Sequence, residues 1–391
     1  MSEQNWLKRL EKLFLVGCLS LCAMIIILGG LSVRHEQQYV YLADSFLHGQ
    51  LNFRHMPGQW HDTALYDGQH YWPLGPLPAV FLIPFLLLFQ SLGIEFYQAY
   101  VAIPLALGTG WRIVSMARSV GRGDCDAIWL ALAFCAASSF LSVSVITMSW
   151  SFAHIVAVFL LFWAIHEWCA RRRWCVIGLL VGLVAATRVS AGLNMIFFLA
   201  AAGFLEKDQR IRKLVYLSIG FAVPLFFLGI YNFARFDSVI EGGYSYQPAA
   251  PGDFPTTSWA NVLPHLGIFL FGLPDFSNHF PYVITNPAGM SVLLISPWLL
   301  CLRRLDFDRT TQLALANCAV VLMVILAWRS SGQIQVGYRF ILDFLPMLLF
   351  LIARTNDGLN GLPGSFKTLS TLGFMSSAYF LKTFIEIIPK G

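Results

Sequence analysis

The chain has 391 residues, of which 57% are hydrophobic and only 12% are charged. Soluble globular domains carry about 25% charged residues, so this composition excludes a soluble protein. In a soluble protein a net charge of +5 would suggest an acidic partner. Here it reflects basic loops on one side of a membrane and does not imply nucleic acid.

Hydrophobic runs of about 20 residues recur along the chain, which is the length that crosses a hydrocarbon core about 30 Å thick. Only helices and closed barrels satisfy their backbone groups in lipid, and continuous apolar runs favour helices. The first run, 13–33, follows a basic start and is too long for a signal-peptide core. We therefore predict an all-α fold, a polytopic transmembrane helix bundle in which residues 1–391 form one integral membrane domain.

Basic clusters fix the expected topology through the positive-inside rule. Arg118 with Arg122, the groups within 171–173, 207–213 and 303–309, and Arg354 are placed inside together with the N-terminus. About eleven crossings follow. They are 13–33, 97–117, 127–147, 151–170, 174–187, 190–205, 213–233, 289–302, 311–329, 338–353 and 367–386.

One apolar run, 77–92, is short and is interrupted by Pro84. A full crossing there would place the arginine clusters outside, so we predict a re-entrant or interfacial segment. Two long external loops result, 34–76 and 234–288. Within the first loop, the spacing from Tyr39 to Gly49 predicts a short helix lying on the membrane surface.

Metal and nucleotide signatures are absent from the sequence. The eight cysteines lie in or beside apolar runs and form no CxxC pair, so we expect neither disulfides nor a zinc site. No ligand cluster argues for another metal, although a divalent ion stays open. Without a Walker-type or GxGxxG motif, an activated substrate must come from elsewhere, and delivery through the membrane fits this absence.

The most informative polar segment is 61–78, where acids, aromatics and prolines lead directly into an apolar run. A carboxylate held there can accept the proton of an attacking hydroxyl. The alternative is ordinary turn chemistry, in which Asp62 caps a turn and Asp67-Gly68 forms one. We favour function for Asp62 and the turn for Asp67, and Asp44 on the predicted surface helix stays undecided.

Four arginines lie at predicted outer helix ends: Arg188, Arg235, Arg329 and Arg339. Guanidinium groups are natural partners for phosphate, and the alternative is snorkelling to lipid headgroups. We accept snorkelling for Arg329 and favour function for Arg188 and Arg339. His154 either faces a water-filled cavity shared with these arginines or hydrogen-bonds a neighbouring helix. Asp343 is expected to pair with Arg339, four residues earlier on the same helical face.

Several short motifs, in order along most of the chain, resemble the GT-C superfamily of polytopic glycosyltransferases, close to the family-39 type. They are His35-Glu36-x-x-Tyr39 with Ala43, Leu47 and Gly49; Asp62-x-Ala64-x-Tyr66-x-Gly68-x-x-Tyr71 with Gly75-Pro76-x-Pro78-Ala79; Ala186-Thr187-Arg188; Tyr231-Asn232-x-x-Arg235-Phe236 with Glu241-x-Gly243-Tyr244; and Gly337-Tyr338-Arg339-Phe340. The resemblance implies a lipid-phosphate-sugar donor, large loops outside, and a module of about seven crossings.

The sequence departs from the family pattern at the first acidic pair, where His35 replaces an acid and leaves Glu36 alone. The catalytic base implied by the resemblance is therefore Glu36, Asp44 or Asp62, and we favour Asp62. Inversion at the anomeric carbon would follow.

The predicted function is sugar transfer from a polyprenyl-phosphate carrier to an acceptor hydroxyl on a glycan, lipid or protein. The expected location is a bacterial inner membrane with the active site facing the periplasm or exterior. No cofactor beyond the donor is expected. The residues predicted to bind the carrier phosphate, sugar or acceptor are Arg188, Arg235, Arg339, His61, His70, Tyr66, Tyr71 and His154. The competing hypotheses are a transporter or flippase of a lipid-linked or anionic substrate, and a non-catalytic assembly partner.

Overall fold

The computed structural model describes residues 3–55, 62–206, 208–247, 256–355 and 361–387. Within these ranges the chain is mostly helical, with two short β-hairpins. The α-helices are α1 (Glu3–Ser32), α2 (Gln38–Leu47), α3 (Leu77–Ser91), α4 (Ala99–Ser119), α5 (Asp124–Cys135), α6 (Ser139–Val145), α7 (Ser149–Ala170), α8 (Trp174–Ala185), α9 (Val189–Gly192), α10 (Met195–Ala200), α11 (Arg210–Phe236), α12 (Val262–Phe271), α13 (Val292–Ile295), α14 (Arg309–Ala327), α15 (Leu345–Arg354) and α16 (Gly364–Ile387).

The protein is an integral membrane protein. In the described ranges five helices, α1, α4, α7, α11 and α14, are long and apolar enough to cross a membrane, and there are six if α5 and α6, which are bent by 66° at their break, count as one span. Shorter apolar helices lie at several other predicted crossings. The count of about eleven crossings stays a prediction.

Besides 127–147, which divides into α5 and α6, three predicted crossings are not single α-helices. Residues 190–205 divide into α9, α10 and a π-helical turn, Ala201–Leu205, and residues 289–302 into α13 and a 3-10 helix, Pro297–Arg304. The third, 338–353, begins as a 3-10 helix, Arg339–Asp343, before α15. Proline explains the second break, because Pro297 has no N–H with which to continue the α13 hydrogen bonds.

The apolar run 77–92 forms one helix, α3, with Pro84 inside it. Its re-entrant or interfacial placement stays a prediction. The predicted surface helix is present as α2, and its position at a membrane surface likewise stays a prediction.

Helix α7 is the central helix of the bundle and is mostly buried, whereas α1 and α11 expose most of their apolar surface. Helices α8 and α11 pack backbone to backbone. A Cβ added at Gly178 would lie 2.0 Å from the Leu217 carbonyl oxygen, and one at Gly220 would lie 2.1 Å from the Cys175 carbonyl oxygen. Only glycine permits this approach.

The basic loops meet at one end of the bundle. Arg122 at the end of α4 donates to the Ala353 carbonyl at 2.8 Å, and Arg354 pairs with Asp308 at 2.8 Å. Helices α8, α11 and α14 begin next to basic loops. Arg188, Arg235 and Arg329 lie at or just after the other ends of these helices. Polar groups are thus divided between two ends of an apolar bundle.

The first outer loop contains a β-hairpin, β1 (Ala64–Tyr66) paired with β2 (Gln69–Tyr71), that the sequence analysis did not predict as strands. Its two-residue turn is Asp67-Gly68, and both residues have positive φ, 49° and 71°. Such a turn favours Asp-Gly because glycine adopts this conformation without strain. The turn interpretation of Asp67 is therefore confirmed. The second hairpin pairs β3 (Asp275–Phe276) with β4 (Val283–Ile284).

Candidate active site

The centre of the site is the break between α8 and α9. Arg188 has an extended backbone, with φ −144° and ψ 112°, and so ends the first helix and turns its side chain away from the axis. The first outer loop packs on this break, because a Cβ at Gly75 would lie 1.9 Å from the Ala186 carbonyl oxygen. The Leu77 N–H also donates to that oxygen at 3.4 Å.

Arg188 forms a buried, bidentate ion pair with Asp343. Its Nε and Nη2 donate to the two carboxylate oxygens at 2.8 and 3.0 Å. The Ser190 hydroxyl donates to the same carboxylate at 2.5 Å, and the Asn194 amide donates to the Asp343 backbone carbonyl at 2.7 Å. Paired and hydrogen-bonded in this way, the two charges are tolerated inside the bundle.

The predicted pairing of Asp343 with Arg339 is wrong. Residues Arg339–Asp343 form a 3-10 helix rather than an α-helix. With three residues per turn, positions four apart are rotated by about 120°, so the two side chains do not share a face. Arg188 takes the place that Arg339 was expected to fill.

His154 on α7 completes the cluster. Its Nδ1 lies 3.5 Å from Asp343 Oδ1, and its side chain is only 1% exposed. Its Nδ1 thus faces Asp343, whereas its Nε2 has no hydrogen-bond partner among the described residues. A buried polar group without a partner is costly, so this position is suited to a ligand or to water.

Arg339 lies beside the same cluster. The guanidinium carbons of Arg188 and Arg339 are 5.7 and 5.5 Å from the centroid of the Phe340 ring. The Nε of Arg339 is buried and has no hydrogen-bond partner in the part of the chain that is described. The two guanidinium groups therefore share one aromatic ring, but Asp343 pairs only with Arg188, which leaves donors of Arg339 available for an anion.

Asp62 is held close to these groups by the second outer loop. The Gln247 amide donates to the Asp62 backbone carbonyl at 2.7 Å, and Arg329 hydrogen-bonds Gln247 in turn. The Asp62 carboxylate interacts electrostatically with Arg339 and with Tyr244. Its φ of 60° lies in the left-handed region, which aspartate tolerates in turns, as Asp67 also does.

Tyr244 carries a neutral hydroxyl at this site. Burial raises the pKa of Tyr244 to about 12, although the nearby charge of Arg188 opposes this shift. The ring packs edge-on against Trp328, with centroids 4.8 Å apart. The group therefore stays protonated at neutral pH and remains a hydrogen-bond donor.

The hydrogen-bond donors of Arg235 are used mainly by other groups of this chain. Its guanidinium donates to the Trp72 carbonyl and to the Asn232 side chain, each at 2.8 Å, and lies 3.8 Å from the Tyr231 ring centroid. Through Trp72 it fixes the segment that leaves the first hairpin. Its Nε has no hydrogen-bond partner among the described residues.

The hairpin side chains that were predicted to bind sugar or acceptor pack around Phe236. The Tyr66 and Tyr71 rings lie 5.5 and 5.3 Å from it. His70 Nδ1 and Thr63 Oγ1 are 2.8 Å apart, and partial burial lowers the pKa of His70. The predicted residue His61 lies outside the described residues.

The other two candidate bases have different surroundings. Asp44 lies on α2, where its carboxylate is 3.5 Å from Arg54 and 3.7 Å from His48. The Glu36 side chain accepts a hydrogen bond from Gln38, and its backbone carbonyl accepts one from the Ser149 hydroxyl at 2.8 Å. In the described ranges no group of three His, Cys, Asp or Glu side chains could hold a metal ion.

The fold, in which the first outer loop packs on the break between α8 and α9, is GT-C-like. This is the fold class that the motifs suggested. The structure of ArnT from Cupriavidus metallidurans bound to undecaprenyl phosphate is similar, with a TM-score of 0.53, 13% identity, and coverage of 98% of this chain and 76% of that chain. The archaeal oligosaccharyltransferase AglB from Archaeoglobus fulgidus, in complex with an inhibitory peptide and a dolichol-phosphate, matches at a TM-score of 0.43 and 11% identity, covering 96% of this chain and 56% of that chain.

No family model matches the sequence. Among curated proteins no sequence matches either. The similarity therefore lies in the fold.

The sequence did not reveal the residues that hold Asp343 and Asp62 in place through hydrogen bonds. Ser190 and Asn194 were not connected to Asp343, and Gln247 was not connected to Asp62. The available signal was Asp343 itself, because an acid inside an apolar run marks a functional site with a cationic partner. Choosing among distant arginines required the structure.

Proposed function

We propose that the protein is a membrane glycosyltransferase that moves a sugar from a polyprenyl-phosphate carrier to an acceptor hydroxyl on the extracytoplasmic side of a bacterial inner membrane. One observation carries the proposal. In a GT-C-like fold, the buried Arg188 and the partly buried Arg339 lie beside the break between α8 and α9, and the outer-loop carboxylate of Asp62 interacts electrostatically with Arg339. The reaction requires cationic groups that bind the leaving phosphate and a base that accepts the proton of the acceptor hydroxyl.

The carrier phosphate would be held by Arg188 and Arg339. A guanidinium group has five N–H donors, and Asp343 uses two of those of Arg188. Asp343 fixes the orientation of Arg188, and the remaining donors can meet phosphate oxygens. Donors arranged before the reaction stabilise charge as it develops on the leaving phosphate.

Asp62 would act as the base. The acceptor oxygen attacks the anomeric carbon, and its proton passes to the Asp62 carboxylate as the new C–O bond forms. The bond from the anomeric carbon to the phosphate oxygen breaks on the opposite face, and its electron pair stays on the phosphate. One displacement of this kind inverts the anomeric configuration.

Transfer from a labelled polyprenyl-phosphate sugar by the purified protein tests the roles of the acids. Asp62→Asn should lower kcat by about 10²- to 10⁴-fold, the range for loss of a general base. Asp44→Asn and Glu36→Gln are the matched controls, since their carboxylates have other partners. Full activity in Asp62→Asn would remove Asp62 from the mechanism, and full activity in the triple variant would exclude carboxylate-base catalysis.

A second measurement tests the phosphate site. Arg339→Gln should raise KM for the carrier about 10- to 100-fold, since a hydrogen bond to a charged group contributes about 1.5–3 kcal/mol. Arg54→Gln, which removes an outer-loop arginine paired with Asp44, is the control and should leave KM unchanged. An unchanged KM in Arg339→Gln would contradict phosphate binding at this residue.

The same assay separates the transferase from a flippase. Release of polyprenyl phosphate together with sugar transfer supports the enzyme. Movement of the intact carrier between leaflets without bond cleavage would support the transporter alternative.

A further inference from the structure

A cavity of about 480 Å³ opens at the basic end of the bundle, where α8 and α11 begin. It is separate from the candidate active site, because Trp174 opens α8 at this end and Arg188 follows the opposite end. Its lining includes four cationic side chains and one carboxylate, Glu206. The cations are Arg172, Arg173, Arg212 and Lys213.

The positive charges that line this cavity outnumber the negative ones, and they differ in their partners. Glu206 pairs with Arg172 at 2.7 Å and with Lys213 at 2.6 Å. Arg212 instead donates to two neutral oxygens, those of Gln209 and Tyr216, each at 3.3 Å. The cavity therefore keeps a positive excess, and an anion with several oxygens is its natural complement.

An apolar stripe continues from the cavity along the exposed face of α11. The residues after Arg212 at alternating steps of three and four are Tyr216, Ile219, Val223, Phe226 and Ile230, and all five are at least partly exposed. Ile219 and Phe226 are 52% and 65% exposed. Such spacing places these side chains on one face, so a basic head and an apolar track lie in line.

We propose that this cavity binds one anionic phospholipid of the cytoplasmic leaflet. The phosphate of the headgroup lies among Arg172, Arg212 and Lys213, and one acyl chain follows the α11 stripe. The charge selects an anion, and the stripe selects a lipid over a free phosphate. Basic cavities between transmembrane helices on the cytoplasmic side are suited to such headgroups. This site does not depend on the proposed function.

Cys175 provides a direct measurement. It lines the cavity and is exposed, whereas the other seven cysteines are partly or fully buried. Full-length protein is placed in nanodiscs of phosphatidylethanolamine with or without phosphatidylglycerol, and the rate of maleimide labelling is measured. Cys175→Ser gives the background. Phosphatidylglycerol should slow the labelling of Cys175 severalfold.

Matched variants test the charge. Arg212→Gln should weaken protection by about fivefold, the effect of one basic residue near an anionic headgroup, and Arg212→Lys should keep most of it. Arg303→Gln is the control, because it also removes one charge, and Arg303 is exposed in the last turn of the 3-10 helix Pro297–Arg304, outside the cavity. Arg212 has only neutral partners, so its loss leaves no buried charge unpaired.

Three outcomes would overturn the proposal. Equal protection by phosphatidylethanolamine alone would remove the requirement for charge. Equal protection by inorganic phosphate would replace the lipid by a free anion. Protection that rises with the number of protein copies in a nanodisc, without anionic lipid, would assign the surface to a second copy of the chain.

Discussion

Arg188 illustrates how a sequence can indicate that a residue needs a partner without identifying that partner. Its place at the break between two apolar helices was readable from the sequence, because an arginine there needs a partner or a wet cavity. The partner was not readable. Asp343 lies 155 positions away, and the 3-10 geometry at 339–343 excluded the local alternative.

The ion pair leads to a prediction at this scale. Asp343→Asn leaves Arg188 inside the bundle without its counter-charge, and breaking a buried pair in this way costs about 3–5 kcal/mol. We expect a large drop in the thermal unfolding midpoint of the detergent-solubilised protein, together with loss of transfer. Asp44→Asn removes a carboxylate from a partly exposed pair and should change the midpoint little. Equal midpoints for the two variants would contradict the structural role of Asp343.

The hairpin and the segment after it show which elements the sequence reveals. The Asp67-Gly68 turn was predicted from composition, since both residues tolerate a positive φ. The flanking strands were not, because three residues each give too short a pattern to recognise. The packing of Gly75 on Ala186 was equally hidden, because it joins segments distant in sequence.

Gly75→Ala tests this contact. The added methyl group would meet the Ala186 carbonyl oxygen at 1.9 Å, so the loop or the helix break must move. Overpacking of this kind costs about 1–3 kcal/mol, and transfer should fall although no reacting group has changed. Gly17→Ala is the matched control, because nothing lies within 4 Å of its added Cβ. Normal activity in Gly75→Ala would show that the loop position does not matter.

Across the whole molecule, the sequence predicted where helices lie far better than where helices break. Long runs such as α4, α7 and α14 were found close to their predicted bounds because crossing a membrane demands about 20 apolar residues. Breaks within apolar runs depend on tertiary contacts that compensate the lost hydrogen bonds, as at α9 and α13, and composition does not reveal those contacts.

The number of crossings can be tested through the two termini. Eleven crossings, an odd number, place the two termini on opposite sides, and the positive-inside rule places the N-terminus inside and therefore the C-terminus outside. A C-terminal fusion to a reporter that is active only outside the cytoplasm should therefore be active, and the same reporter at the N-terminus should be silent. Reporters active on the same side would require an even number and would reopen the assignment of 77–92.

The basic end of the bundle should contribute stability that depends on pH. Burial raises the pKa of Asp308, but the hydrogen bonds from Arg354 and from Thr311 lower it by more, to about 2. Because the unfolded pKa is near 4, this stabilisation is complete above about pH 4 and is lost as the pH falls toward 2. Asp308→Asn should lower the unfolding midpoint at pH 5 and change it less at pH 3, measured in detergent. Asp124→Asn, in the exposed pair with Arg118, is the control and should keep the wild-type pH dependence.

The link from Arg329 through Gln247 to Asp62 has a thermodynamic consequence. Under the proposed function the donor phosphate would bind Arg339, which interacts with Asp62, and Asp62 is held by the same contacts with Gln247 and Arg329. Donor binding would therefore also order the place where the acceptor arrives. Reciprocity then requires each substrate to strengthen the binding of the other by the same factor. Affinity for the acceptor, measured with and without bound polyprenyl phosphate, becomes a readout of that shared order.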